Sequence, residues 1–253
     1  FVLTAVFAPL IAPYDPLALS KDRQIAPCLA HPMGTDLMGR DIFSRVLFGA
    51  RLSLIIGLAS VSFGAVVGTA IGVVSGYRGG LLDTGIMRMM DAMLAFPGVL
   101  LALTVILGLG TSIRTMIIAV GFALIPKFVR LTRGNTIWAK QQLYVESARA
   151  IGCSHSRIAF RHVLPNVVAP IVVFATLQFG VSILIAATLS YLGLGAQPPN
   201  PEWGLMVSLG RDYLGQAWWM SVMPGLAIAT SLVAINQIGD GLREALDPRL
   251  ASW

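Results

Sequence analysis

Twenty-five consecutive residues, Leu52 to Gly76, carry no charge, and that run decides the solvent in which most of this chain folds. About 20 apolar residues suffice for a helix to cross the hydrocarbon of a bilayer. Within the run Gly57, Gly64, Gly68 and Gly72 recur at intervals of seven, four and four. This spacing leaves bare backbone along one helical face and predicts a surface on which another helix packs closely. Composition agrees, since 56% of the 253 residues are hydrophobic and 12% charged, about half the charged fraction of a soluble domain. The fold class expected is an all-α membrane protein. A net charge of +6 would suggest nucleic acid for a soluble protein. Here the basic residues stand beside apolar runs, where they set orientation in the membrane, so the partner inferred is lipid and no nucleic acid is invoked.

The rest of the chain divides by the same logic. Phe1 to Ile11 is apolar over about half the length of a span and reads as the end of a first transmembrane helix whose start is missing, segment 1–12. It lacks the charged n-region of a signal peptide. Segment 13–51 mixes both signs of charge with Pro and Gly and is expected to be an external loop leading into a short surface helix. The membrane core expected at 52–239 contains a turn from Tyr77 to Asp91 around Gly79-Gly80. From Ala92 to Pro126 only Arg114 is charged; a hairpin of two spans broken at Gly108, Gly110 and Thr111 fits that length, with Lys127 and Arg130 snorkelling to the interface. Two more spans, about Pro165 to Leu189 and Trp218 to Ile238, flank a turn-rich loop. Its Trp203, Tyr213, Trp218 and Trp219 are types that favour the membrane interface. A polar tail, 240–253, follows. The count is six spans, the first incomplete.

Between the fourth and fifth spans lies a basic island. Lys127, Arg130, Arg133, Lys140, Arg149, Arg157 and Arg161 are accompanied by one acid, Glu146. Submerging all seven at ~2.5 kcal/mol each would cost roughly 18 kcal/mol, so the island is expected in water. Placing it in the cytoplasm gives eleven Lys/Arg on that side against seven outside, as the positive-inside rule requires, with both termini cytoplasmic. Within the island Ser154 can cap a helix that Pro165 terminates. Ser156, Ala159, Phe160 and Val163 then share an apolar face, Arg157 and Arg161 lie on another, and Gly152 supplies a corner after a turn at Glu146 to Ala150. A solvated loop that only fixes topology would explain the charges but not the corner or the face.

Several chemistries find no support. No Lys follows a Gly, so there is no P-loop, and the chain is not expected to hydrolyse ATP. His31, His155 and His162 form no zinc-protease pattern. Cys28 with His31, or Cys153 with His155 and His162, supplies no full metal-ligand set, and the two cysteines fall on opposite sides of the expected membrane. No span carries an acid near its middle, which argues against an ion-coupled carrier. Polar residues in the later spans, Thr176, Gln178, Ser182, Ser231, Asn236 and Gln237, could line a path, Gln178, Ser182 and Asn236 foremost. Helix-to-helix hydrogen bonding, ~0.6 kcal/mol each, is the plainer reading for any one of them.

At Glu146-Ser147-Ala148, Gly152 and His162-Val163-Leu164-Pro165 the chain resembles the permease subunits of binding-protein-dependent ABC importers. Their signature is Glu-Ala-Ala, three residues, Gly, nine residues and Ile-x-Leu-Pro; Ser147 and His162 are the departures. Gly34-Thr35-Asp36 with Gly39-Arg40-Asp41, Gln197-Pro198-Pro199 before Glu202-Trp203-Gly204, and Gly239-Asp240-Gly241 through Leu246-Asp247-Pro248-Arg249 are similar to the second permease of the dipeptide, oligopeptide and nickel branch. The resemblance implies the type I importer transmembrane fold. It also implies a cytoplasmic coupling region at 131–165 in which Glu146, Ser147, Ala148, Arg149, Gly152, Arg157, Arg161, Leu164 and Pro165 engage an ATPase. The implied partners are a homologous permease, two ATPase subunits that hold ATP and Mg, and an extracytoplasmic binding protein. The implied site is the bacterial inner membrane, with peptides as cargo, or nickel, glutathione or another small solute. The rival readings are an autonomous channel or secondary carrier, and a membrane scaffold without transport.

Overall fold

The structure, a computed structural model, describes residues 2–246. Two short helices, α1 (Val2–Val6) and α2 (Ala8–Ile11), precede an irregular segment that ends at Asp41. Asp41 caps α3 (Ile42–Arg78) by accepting the Ser44 N–H at 2.8 Å. No breaker follows until Gly79, so residues 42–51, expected as a separate surface helix, are the first turns of this 37-residue element.

Gly79 and Gly80 have φ of 68° and 63°, a left-handed conformation open to glycine at little cost. They lead the chain directly into α4 (Gly80–Leu94), so of the long turn expected to reach Asp91 only Gly79 lies between helices. Pro97 then heads α5 (Gly98–Leu109), whose axis turns 94° from that of α4. The third span is therefore broken rather than straight.

After Ser112, whose hydroxyl accepts the Thr115 N–H at 3.0 Å, α6 runs from Ile113 to Lys140. It passes through Pro126, where the fourth span was expected to end. Proline removes one helical hydrogen bond, but α6 is held against α3 on both sides of it. A Cβ added at Gly64 would lie 2.8 Å from the Gly121 carbonyl, at Gly68 2.5 Å from Phe128 Cβ, and at Gly72 2.7 Å from Thr132 Cβ. Backbone contact this close requires the glycine face read from the sequence.

The elbow comprises α7 (Leu143–Ala150), α8 (His155–Arg157) and a π-helical segment, Ile158–Val163, which runs without a break into α9 (Leu164–Tyr191). Pro165 thus lies inside a continuous helical run instead of stopping one, two residues past the π-helical segment. After α10 (Trp203–Gly210) and a 3₁₀ turn, α11 spans Trp219–Leu246. The expected tail therefore begins as helix, and the Asp247-Pro248-Arg249 match lies outside the described residues. Among the described residues four helices are long and apolar enough to cross a membrane, and the bent α4–α5 pair makes up to a fifth. With α1 and α2 ahead of them, this is the expected succession of spans.

At the end of the bundle opposite the elbow, the Arg40 Nε donates to Asp36 at 2.6 Å and His31 Nδ1 meets Asp41 Oδ1 at 2.9 Å. Trp203 and Trp219 are anchors rather than interfacial residues. The Trp203 indole is buried and donates to the Val46 carbonyl at 2.9 Å, and that of Trp219 to Thr35 at 3.2 Å. Trp218 is the exposed one of the pair.

Candidate functional site

The island folds as an elbow because its two faces differ. Val145, Ala148, Ile158, Ala159 and Val163 are buried and join one apolar cluster with Val73 and Tyr77 of α3, Leu124 and Phe128 of α6, and Val167 of α9. Leu143, Ile151 and Phe160 remain 79%, 81% and 65% exposed, flanked by exposed Glu146, Ser147, Arg149, Arg157 and Arg161. The expected apolar face is corrected accordingly. Ala159 and Val163 point inward, Phe160 outward, and the side chain of Ser156 lies outside the described residues. The inward face is spent on the protein's own core, so any partner meets the outer one.

Gly152 makes the corner. Its φ is 81° and no atom would lie within 4 Å of an added Cβ, so conformation, not space, selects glycine here. The Cys153 N–H reaches back to the Ala148 carbonyl at 3.1 Å and that of Gly152 to Arg149 at 2.9 Å, the αL closure that satisfies the last carbonyls of a helix. Two residues on, Ser154 caps the next helix as expected, accepting the Arg157 N–H at 3.4 Å. Leu164 is half-buried and Pro165 exposed.

Links that sequence reasoning missed tie the elbow to the bundle. Lys140 Nζ donates to the Tyr77 carbonyl at 2.7 Å and lies 5.5 Å from the centre of that ring, while the Tyr77 hydroxyl sits 3.2 Å from His155 Nδ1. Arg133 grips Asp83 through two hydrogen bonds of 2.6 and 2.7 Å, and Ser75 donates to the same carboxylate at 2.5 Å. Arg130 pairs with Asp91 at 2.6 Å. These partners are distant in sequence, so no local spacing betrays them. They explain why Arg130 and Arg133 sit on α6 rather than in a watery loop: α4 brings a carboxylate to each. A basic cleft of about 600 Å³, lined by Tyr77, Arg78, Lys140, Arg149, His155 and Phe160 among others, opens beside the elbow.

The residues considered for a path are not gathered in one place. Ser182 is buried and its hydroxyl is shared between the carbonyls of Gly57, at 3.0 Å, and Phe179, at 2.7 Å, which is helix-to-helix bonding. Gln178 is buried and its Oε1 accepts from Lys127 Nζ at 3.3 Å; Asn236 is exposed. Both cysteines are free thiols, and no group of three His, Cys, Asp or Glu able to hold a metal occurs among the described residues.

Apolar spans with an elbow after the fourth, its inner face buried and its outer face exposed, are what the resemblance to importer permeases implies. The signature of the family described as "Binding-protein-dependent transport system inner membrane component" matches residues 68–252. The glutathione transport system permease protein GsiD of Escherichia coli is 49% identical over 98% of this chain and 83% of its own length, and that of Pectobacterium atrosepticum 46% identical over 99% and 84%. The chain belongs to this family: it is a permease subunit of an ABC importer of the dipeptide, oligopeptide and nickel branch, an inner-membrane protein. Two solved structures share its fold, the type I importer transmembrane fold. One, titled as inward-facing conformations of the MetNI methionine ABC transporter, aligns with TM-score 0.66 at 18% identity over 80% of this chain and 96% of that one. The other, an amino acid ABC transporter with histidines, aligns with TM-score 0.62 at 12% identity over 80% and 94%.

Proposed function

We propose that this chain, as the second permease of its pair, forms half of the translocation path for glutathione or small peptides, and that its elbow docks a cytoplasmic ATPase. The observation that carries the docking is the split of the elbow, with its inner apolar face locked into the bundle and its outer face exposed between charges. The names of the relatives favour glutathione over other peptides as cargo. In this reading a homologous permease completes the path and an extracytoplasmic binding protein delivers solute. Two ATPases supply ATP and Mg, this chain hydrolyses none, and both termini lie on the ATPase side. Glu146, Ser147, Arg149, Arg157 and Arg161 present the docking surface; Ala148, Gly152, Leu164 and Pro165 shape it. The test is ATP-driven glutathione uptake by the complex reconstituted in liposomes. Glu146→Arg is expected to abolish uptake while ATP hydrolysis continues. Uptake that persists in liposomes without the ATPases would overturn the reading.

A further inference from the structure

Lys127 belongs to the basic island but lies outside the elbow. It was expected to reach an interface from the end of a span; instead it sits near the middle of α6, fourteen residues after Ile113 and thirteen before Lys140. At 1.5 Å per residue α6 is about 42 Å long, against about 30 Å of hydrocarbon. For an upright helix, wherever the excess lies, Lys127 falls about 7 Å or more inside the apolar layer. Its half-buried side chain donates to Gln178, itself fourteen residues into α9. One amide oxygen does not neutralise an ammonium, and no carboxylate pairs with it among the described residues, whereas Arg130 and Arg133 on the following turns each have one.

The side of α6 on which Lys127 lies can be told from its neighbours. Gly121, Leu124, Phe128 and Thr132 are buried, and Gly64, Gly68 and Gly72 of α3 pack on this row. Arg130 and Asp91, by contrast, are 58% and 52% exposed at their side chains. Ionised groups within a span face water or protein, not lipid. In a permease pair, the flank of α6 that Lys127 and Arg130 share, three residues apart, would open onto the space between the two chains.

We infer that the Lys127 ammonium, positioned by Gln178, is a transient site for the carboxylate of an anionic solute in that space, and so a determinant of which solutes pass. This rests on the chain forming half of a path. A charge-assisted hydrogen bond from the ammonium to a carboxylate would form there, and Gln178 would hold the ammonium when the site is empty. The single contact to an amide is weak enough to be exchanged.

The test is uptake by the complete reconstituted transporter of glutathione and of its diethyl ester, which lacks the carboxylates. Lys127→Met is expected to lower the ratio of glutathione to ester uptake about 10-fold or more, the scale of one hydrogen bond to a charged group, while Lys127→Arg keeps the wild-type ratio. An unchanged ratio in Lys127→Met overturns the inference. If wild type carries neither probe, the glutathione reading falls, and thiol labelling decides this one. In a Cys28→Ser, Cys153→Ser background, Lys127→Cys is expected to react from water with the anionic reagent methanethiosulfonate ethylsulfonate, and Phe128→Cys, facing α3, to stay unlabelled. A Cys at 127 as inert as that at 128 overturns it.

Discussion

Substitution of Gly152 separates conformation from size as the reason for glycine at the elbow. The residue has φ of 81° and open space where a side chain would go, so a larger residue meets no atom and the cost arises in the backbone. For an ordinary L-residue the left-handed region costs about 1–2 kcal/mol. Asn tolerates it better because its side chain bonds locally, and a β-branched residue tolerates it worst. The expected order of damage is therefore Asn, Ala, Val, whereas a steric origin would rank them by size, with Ala mildest. Because this φ is present without an ATPase, the cost falls on the elbow itself, and Gly152→Ala lowers the population of intact elbow, and with it ATPase docking, by up to about 5- to 30-fold. Binding of purified ATPase to the permease pair in nanodiscs reads this directly, with the thermal midpoint of the pair as a control. Gly152→Asn weaker than Gly152→Ala, or Ala and Val without effect, would refute the argument.

Two further outcomes follow from packing and burial. Gly68→Leu, where even a Cβ would stand 2.5 Å from Phe128, should force α3 from α6 at a cost of about 1–3 kcal/mol, seen as a lower thermal midpoint; Gly85→Leu, with nothing within 4 Å, should leave it unchanged. Glu202 is buried in the loop outside the spans, and burial pushes its pKa above the ordinary 4.5, opposed by the N–H groups of Gly204 and Leu205. Its folded form thus holds the proton more tightly than its unfolded form, and the associated stability, full below that ordinary value, is lost as pH rises through the folded pKa. The thermal midpoint of wild type minus that of Glu202→Gln should therefore fall from pH 4.5 to 8; a difference that stays flat or grows would show that the hydrogen bonds outweigh burial.

What could be read in advance was whatever depends on near neighbours in sequence. The uncharged run from Leu52, the glycine row, the Gly152 corner and the Ser154 cap each express a local period or backbone preference, and each is found where expected. Errors arose wherever a distant segment decides. Pro126 looks like an end until α3 clamps both sides of it, and the island looks fully watery until Asp83 and Asp91 arrive from α4. Trp203 and Trp219 look interfacial until Val46 and Thr35 offer carbonyls. The elbow could be located from the spacing of Glu146, Gly152 and Pro165, but not the direction of its faces, because Phe160 lies in a π-helical turn that shifts it out of the 3.6-residue period.

The apolar cluster beneath the elbow also has a mechanical meaning. A segment whose inner side chains are shared with α3, α6 and α9 has little compliance of its own and behaves as a handle fixed to long levers. Since α3 is about 55 Å long, a tilt of about 5° imposed at the handle would carry Ile42 at the far end sideways by ~5 Å. Asp41, His31 and the Trp203 anchor travel with it, so that pulling on one side of the membrane re-sets the loops on the other.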